Sequence, residues 1–218
     1  MLSYLTANTL MEIICLLFST LCLSTDKSLV WRSMILYLLI TCITELGGIA
    51  IGRHSHNNHW VYNIFIVFEA GFTHLMFVHL FKNYKHSKSI ILIGLAVFVI
   101  FYIYDTCSHG FFKYNNLTYT ILSVEFVLYS LYYYYLLLKD ENYIDLKKSP
   151  EFWWVAGTIF FYFANTACNL FDAELYSVMI TSHHHLTYFI FKILNIILYG
   201  CWSYSFICKR WLSKTSPS

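Results

Sequence analysis

Apolar residues along this chain come in continuous blocks, and the polar residues that interrupt them do so one at a time. The blocks run over Ser3–Leu23, Ser28–Ile51, Trp60–Phe81, Ser89–Tyr104, Leu117–Leu138, Glu151–Phe171 and Leu186–Cys208. Most are about 20 residues long, the length a helix needs to cross a hydrocarbon core about 30 Å thick. Because the runs are continuous and do not alternate, closed β-barrel strands are excluded and helices must satisfy the backbone internally. The pattern predicts an all-α, integral membrane bundle of seven transmembrane helices, a single domain spanning residues 1–218. Connections are short, so consecutive helices are expected to be antiparallel neighbours.

Basic residues set the orientation. Lys27 and Arg32, then Lys82, Lys85 and Lys88, then Lys139, Lys147 and Lys148, and finally Lys209, Arg210 and Lys214 all fall on one side. Arg53 and Lys113 fall on the other, and Lys192 lies inside a span. The positive-inside rule then places the N-terminus outside and the C-terminus in the cytoplasm, in a bacterial inner membrane. The first block lacks a positive leading region and a small-residue cleavage site, so it reads as a retained span.

Composition agrees. Of 218 residues, 58% are hydrophobic and only 12% charged, against about 25% charged in a soluble domain. A net charge of +2 excludes a strongly basic nucleic-acid binder. Seven cysteines include no CxxC pair and sit mostly inside spans, with Cys107 alone expected in a loop. Oligomer formation stays open.

The interruptions point to a site. A carboxylate within an apolar span costs a few kcal/mol on insertion scales and normally faces the bundle interior. Glu12, Glu45, Glu69 and Glu125 interrupt four spans, joined by His74, Asn165, Asn169, Lys192 and Asn195. With a helical rise of about 1.5 Å per residue, most of these fall roughly 9–14 Å below the outer surface. Helical spacing adds phenols: Tyr188, Lys192, Asn195 and Tyr199 share a face, and Tyr129, Tyr132 and Tyr133 lie below Glu125. Span four carries nothing polar until Asp105 and is expected to be the most lipid-exposed helix. The layer predicts an outward-facing acidic cavity for a cation, a proton or a metal. Four glutamates cannot all ionise side by side, so some share protons, bind a cation, or pair with Lys192; Glu69 with Lys192 is the expected pair.

Seven of ten histidines lie toward the outside, in His54-x-His56-x2-His59, His109 and His183–His185, which suits metal capture or pH sensing at the cavity mouth. No zinc-signature spacing is present. A carboxylate–histidine metal site built from Glu45, Glu69, His74, Asp105 and His109 would hold a divalent metal.

The stretch Thr44-Glu45, Asn57-Asn58, Tyr62-Asn63-Ile64-Phe65 and Phe68-Glu69 loosely resembles small uncharacterised seven-helix bacterial membrane proteins, over about two spans, and carries no function with it. A lysine in span seven and an acid in span three resemble microbial rhodopsins. However, Tyr188 stands where an acid precedes Lys192 by four, and span six lacks a central proline, which argues against retinal. Alkaline ceramidases carry an HxxxH on the last span; here Thr187 follows His183 by four, so the pair is missing. The expected function is therefore a small transporter or sensor for a cation, proton or metal. The alternatives are a metal-dependent hydrolase acting on lipid and an accessory membrane subunit.

Overall fold

The computed structural model describes residues 6–55, 57–82, 87–140, 145–181 and 184–215. His56, Lys85, Glu141, His183 and the first three residues of the first expected span lie outside these. Among these described residues eight α-helices follow in order: α1 Ala7–Leu23, α2 Leu29–Ser55, α3 His59–Leu80, α4 Ser87–His109, α5 Asn116–Lys139, α6 Pro150–Leu170, α7 Asp172–Ser177 and α8 Leu186–Thr215. Between α7 and α8 two short strands, β1 Met179–Thr181 and β2 His184–His185, pair antiparallel. Five helices, α2, α3, α4, α5 and α8, are long and apolar enough to cross a membrane. This is the architecture of a helical integral membrane protein.

Local chemistry sets the helix ends. Thr6 caps α1 by accepting from Thr9 N at 3.2 Å, and Asp26 Oδ1 accepts from Ser28 N at 2.7 Å just before α2. Ser149 caps α6, with Pro150 in the first turn, where its missing N–H costs nothing. Gly110, with φ of +82°, stops α4 while its N–H closes on Thr106 O at 2.9 Å.

Three helices outlast their apolar blocks. Helix α2 runs on to Ser55, α4 to His109 and α8 to Thr215. Hydropathy marks only the part in hydrocarbon, and a helix that leaves it keeps its backbone hydrogen bonds. Cys107 and His54 are therefore helical and not in loops. Asp172 begins α7, beyond the end of α6 at Leu170.

Each long helix packs on the next, and α8 closes the ring against both α1 and α6. The α6–α8 seam is close: a Cβ on Gly157 would stand 2.9 Å from Cys201 Cβ and 3.1 Å from the Leu198 carbonyl oxygen. Small residues at such seams let backbones approach closely, which is how helices gain packing energy in lipid. Below it Trp154 and Trp202 stack at 5.7 Å, Trp202 Nε1 donates to Trp154 O at 3.2 Å, and Ser205 Oγ donates to Pro150 O at 2.7 Å. The core is aromatic, built on Trp31, Trp154, Phe77, Phe126, Phe206 and Tyr162. Exposed Leu92, Ile93 and Ile100 make α4 the least buried of the five crossing-length helices.

Candidate functional site

A cavity of about 150 Å³ opens within the half of the ring nearest the α2–α3 and α4–α5 connections. Helix α3 presents Tyr62, Phe65, Ile66 and Glu69 to it, spaced i, i+3, i+4, i+7 on one face. Helix α2 presents Tyr37, Thr41, Thr44 and Glu45 in the same manner. Glu12 comes from α1, Tyr119 from α5, Phe161 and Tyr162 from α6, Leu198 and Tyr199 from α8, and Tyr114 from the α4–α5 loop.

The carboxylates are arranged by phenols. Tyr162 Oη donates to Glu69 Oε1 at 2.5 Å, Tyr62 Oη to Glu45 Oε2 at 3.3 Å, and Tyr199 Oη to Glu12 Oε1 at 3.4 Å. Each pair joins two helices: α3 to α6, α2 to α3, and α1 to α8. A phenol gives one proton, while a carboxylate offers two oxygens, so the cavity keeps a surplus of acceptors. Glu12 shows it directly: the side chain is 5% exposed and its Oε2 has no hydrogen-bond partner. Glu12 and Glu45 share this wall, and among the described residues no Lys, Arg or His lines it.

The loop carrying Tyr114 is held by Asn63, a fully buried amide one turn above Ile66. Its Nδ2 donates to Phe111 O at 2.8 Å and Lys113 O at 2.7 Å, and its Oδ1 accepts from Asn115 N at 3.1 Å. Both N–H donors and the carbonyl oxygen of that side chain are engaged, three of its four possible hydrogen bonds.

The remaining residues of the expected layer are elsewhere. Glu125 is not on the cavity wall. It sits at the junction of α3, α4 and α5, its Oε2 3.6 Å from His74 Nε2, while His74 Nδ1 donates to Ala70 O at 2.7 Å. His74 lies five residues beyond Glu69 on α3, about 7.5 Å deeper. Asn165 and Asn169 are rungs between α6 and α5, donating to Ser123 Oγ at 2.8 Å and Thr120 Oγ1 at 3.1 Å. Asn195 donates to Phe191 O of its own helix at 2.9 Å. Lys192 is half-buried, off the cavity wall and without an ion pair to any described residue. The expected Glu69–Lys192 pair is not formed: Glu69 Oε1 accepts from Tyr162, and Lys192 stands about two turns, roughly 10 Å, nearer the start of α8 than the cavity residue Tyr199.

The expected metal set is likewise divided among three places. Glu45 and Glu69 face the cavity, His74 faces Glu125, and Asp105 Oδ1 accepts from His109 Nδ1 at 2.8 Å on α4. Asp105 Oδ2 accepts from Thr118 N and Thr118 Oγ1, both at 3.1 Å, so this carboxylate serves as the cap of α5. Among the described residues no three His, Cys, Asp or Glu are grouped to hold a metal ion. His54 and His59 are exposed at the facing ends of α2 and α3, while His56 and His183 of the two expected histidine clusters lie outside the described residues.

Sequence reasoning missed Tyr37, Tyr119 and Tyr162, which nothing along the chain separates from the other tyrosines. Tyr62 carried a signal, seven residues before Glu69 on one helix face, and Tyr199 lay on the stripe already noted. No protein-family model, no curated protein and no solved structure matches this chain.

Proposed function

We propose that this protein binds a small cation in its acidic cavity from the outer side of a bacterial inner membrane, as part of a transport or sensing cycle. The observation that carries the proposal is the convergence of Glu12, Glu45 and Glu69 on one cavity without a basic side chain on its wall. Buried carboxylates without a cation partner are costly in low dielectric, and a positive guest removes that cost. In this proposal all seven long helices cross the bilayer, N-terminus outside. Two of them, α1 and α6, are not among the five helices long and apolar enough to cross; with 17 and 21 residues they provide about 26 and 32 Å of helix.

The cation proposal is tested with full-length protein in nanodiscs. Its thermal midpoint is followed against monovalent, divalent and organic cations, and uptake is measured in proteoliposomes for any cation that binds. Binding abolished in Glu12→Gln or Glu69→Gln is the expected result; no stabilisation by any cation overturns the proposal. Topology is tested separately at Cys107, an exposed thiol near the outer end of α4. A membrane-impermeant maleimide is expected to label it in intact spheroplasts, and labelling only after lysis overturns the orientation.

A further inference from the structure

We infer that the cation is an organic ammonium ion of the methylated-amine class, an inference that rests on the cavity being a cation site. The wall is dominated by rings: eight of its fifteen residues are Tyr or Phe. A cation held over aromatic faces is attracted by their quadrupoles, most strongly where it is desolvated, and aromatic cages are the recurring recognition device for quaternary ammonium groups. The volume agrees. About 150 Å³ is the size of a void that accommodates benzene, and a tetramethylammonium ion is of that size, whereas a bare metal ion leaves most of it empty.

The carboxylate geometry points the same way. A metal ion draws its donors inward to about 2.0–2.6 Å. Here Glu12, Glu45 and Glu69 are each held back against a phenol of a neighbouring helix, and among the described residues no three metal-binding side chains are grouped. Charges spread around a perimeter suit a cation whose charge is spread over its methyl groups. The unpartnered Oε2 of Glu12, on a side chain 5% exposed, is the buried acceptor such an ion would neutralise.

The experiment is isothermal titration of the nanodisc-embedded full chain with tetramethylammonium chloride. Tert-butanol serves as the neutral probe of similar size, and Na⁺, K⁺ and Zn²⁺ as inorganic probes. Saturable binding of tetramethylammonium and none of tert-butanol is expected. Tyr119→Leu, which removes a ring, is expected to weaken binding about tenfold, and Tyr119→Phe, which keeps it, by less than about threefold. Saturable binding of an inorganic cation with none of tetramethylammonium overturns the ligand class and leaves the cation site standing. Equal binding of tert-butanol, or equal losses in the Leu and Phe variants, also overturns the class. No binding of any cation overturns both proposals. The probe comparison uses the unaltered protein, so it holds even where a variant fails to fold.

Discussion

Tyr162→Phe removes a single oxygen and tests the best-defined bond in the cavity. Tyr162 is 2% exposed and Glu69 6%, and the Oη–Oε1 distance of 2.5 Å is that of a short, strong hydrogen bond. Phenylalanine keeps the ring and its edge-on contact with Phe126 at 4.9 Å, so little packing is lost. A neutral hydrogen bond contributes about 0.5–1.5 kcal/mol net and one to a charged group about 1.5–3 kcal/mol, and a buried orphaned acceptor costs a similar amount. The expected loss is about 2 kcal/mol. Glu69→Gln keeps an acceptor and is expected to cost about 1 kcal/mol, with a coupling of about 1 kcal/mol to Tyr162→Phe in a double-mutant cycle. Lys192→Met is expected to be additive with Glu69→Gln within about 0.5 kcal/mol, since the two do not touch. Reversible unfolding in mixed micelles, followed by far-ultraviolet circular dichroism, measures all of these. A loss below about 0.5 kcal/mol for Tyr162→Phe, or coupling of Lys192 to Glu69 as large as that of Tyr162, would refute the reasoning.

Asn63→Leu strands two carbonyls and one N–H of the α4–α5 loop. It is expected to cost about 3 kcal/mol or more and to speed amide exchange at residues 111–116; unchanged exchange there would show that the loop holds itself. Asp105→Ala removes the acceptor for Thr118 N and Oγ1 and is expected to cost about 1–3 kcal/mol in the same unfolding assay, with no effect on cation binding. A Cβ on Gly94 would collide with the Tyr129 hydroxyl, so Gly94→Ala is expected to lose about 1–3 kcal/mol. Adding Tyr129→Phe should return part of that loss, and a further loss would mean that α4 is displaced by something other than the hydroxyl.

The helical, membrane-crossing character was legible because length and apolarity alone mark a crossing segment, and among the described residues five of the seven expected spans meet that test. Their ends were less so, since α2, α4 and α8 continue into sequence that hydropathy scores as polar. Within the site, the cost of burying charge singled out Glu12, Glu45 and Glu69 correctly as neighbours. The same reasoning grouped Glu125 and Lys192 with them and failed, because depth along a helix says nothing of which way round the helix a residue faces. Glu125 lies at a usable depth but turns toward His74 and α4. Asn165 and Asn169 share the depth and turn toward α5. The phenols were hidden by number: among 19 tyrosines, the ones that meet carboxylates are chosen by helix packing across 17 to 187 residues of sequence.

The polar side chains of this fold separate by whether the fold itself completes them. Asn63 commits both N–H donors and its carbonyl oxygen to one loop, and Asp105 divides its oxygens between His109 and the start of α5. Glu125 stands apart from both kinds, its Oε2 3.6 Å from the His74 ring and neither of its oxygens hydrogen-bonded. The three cavity glutamates receive only phenol protons, which satisfy one oxygen each and neutralise none of the charge. Helix association alone would be served by Ser, Thr or Asn, as the Asn165–Ser123 and Asn169–Thr120 rungs already do at lower desolvation cost. Three carboxylates around one void, each held by a phenol and with no basic side chain among the described residues of the wall, are the feature on which the proposed cation site rests.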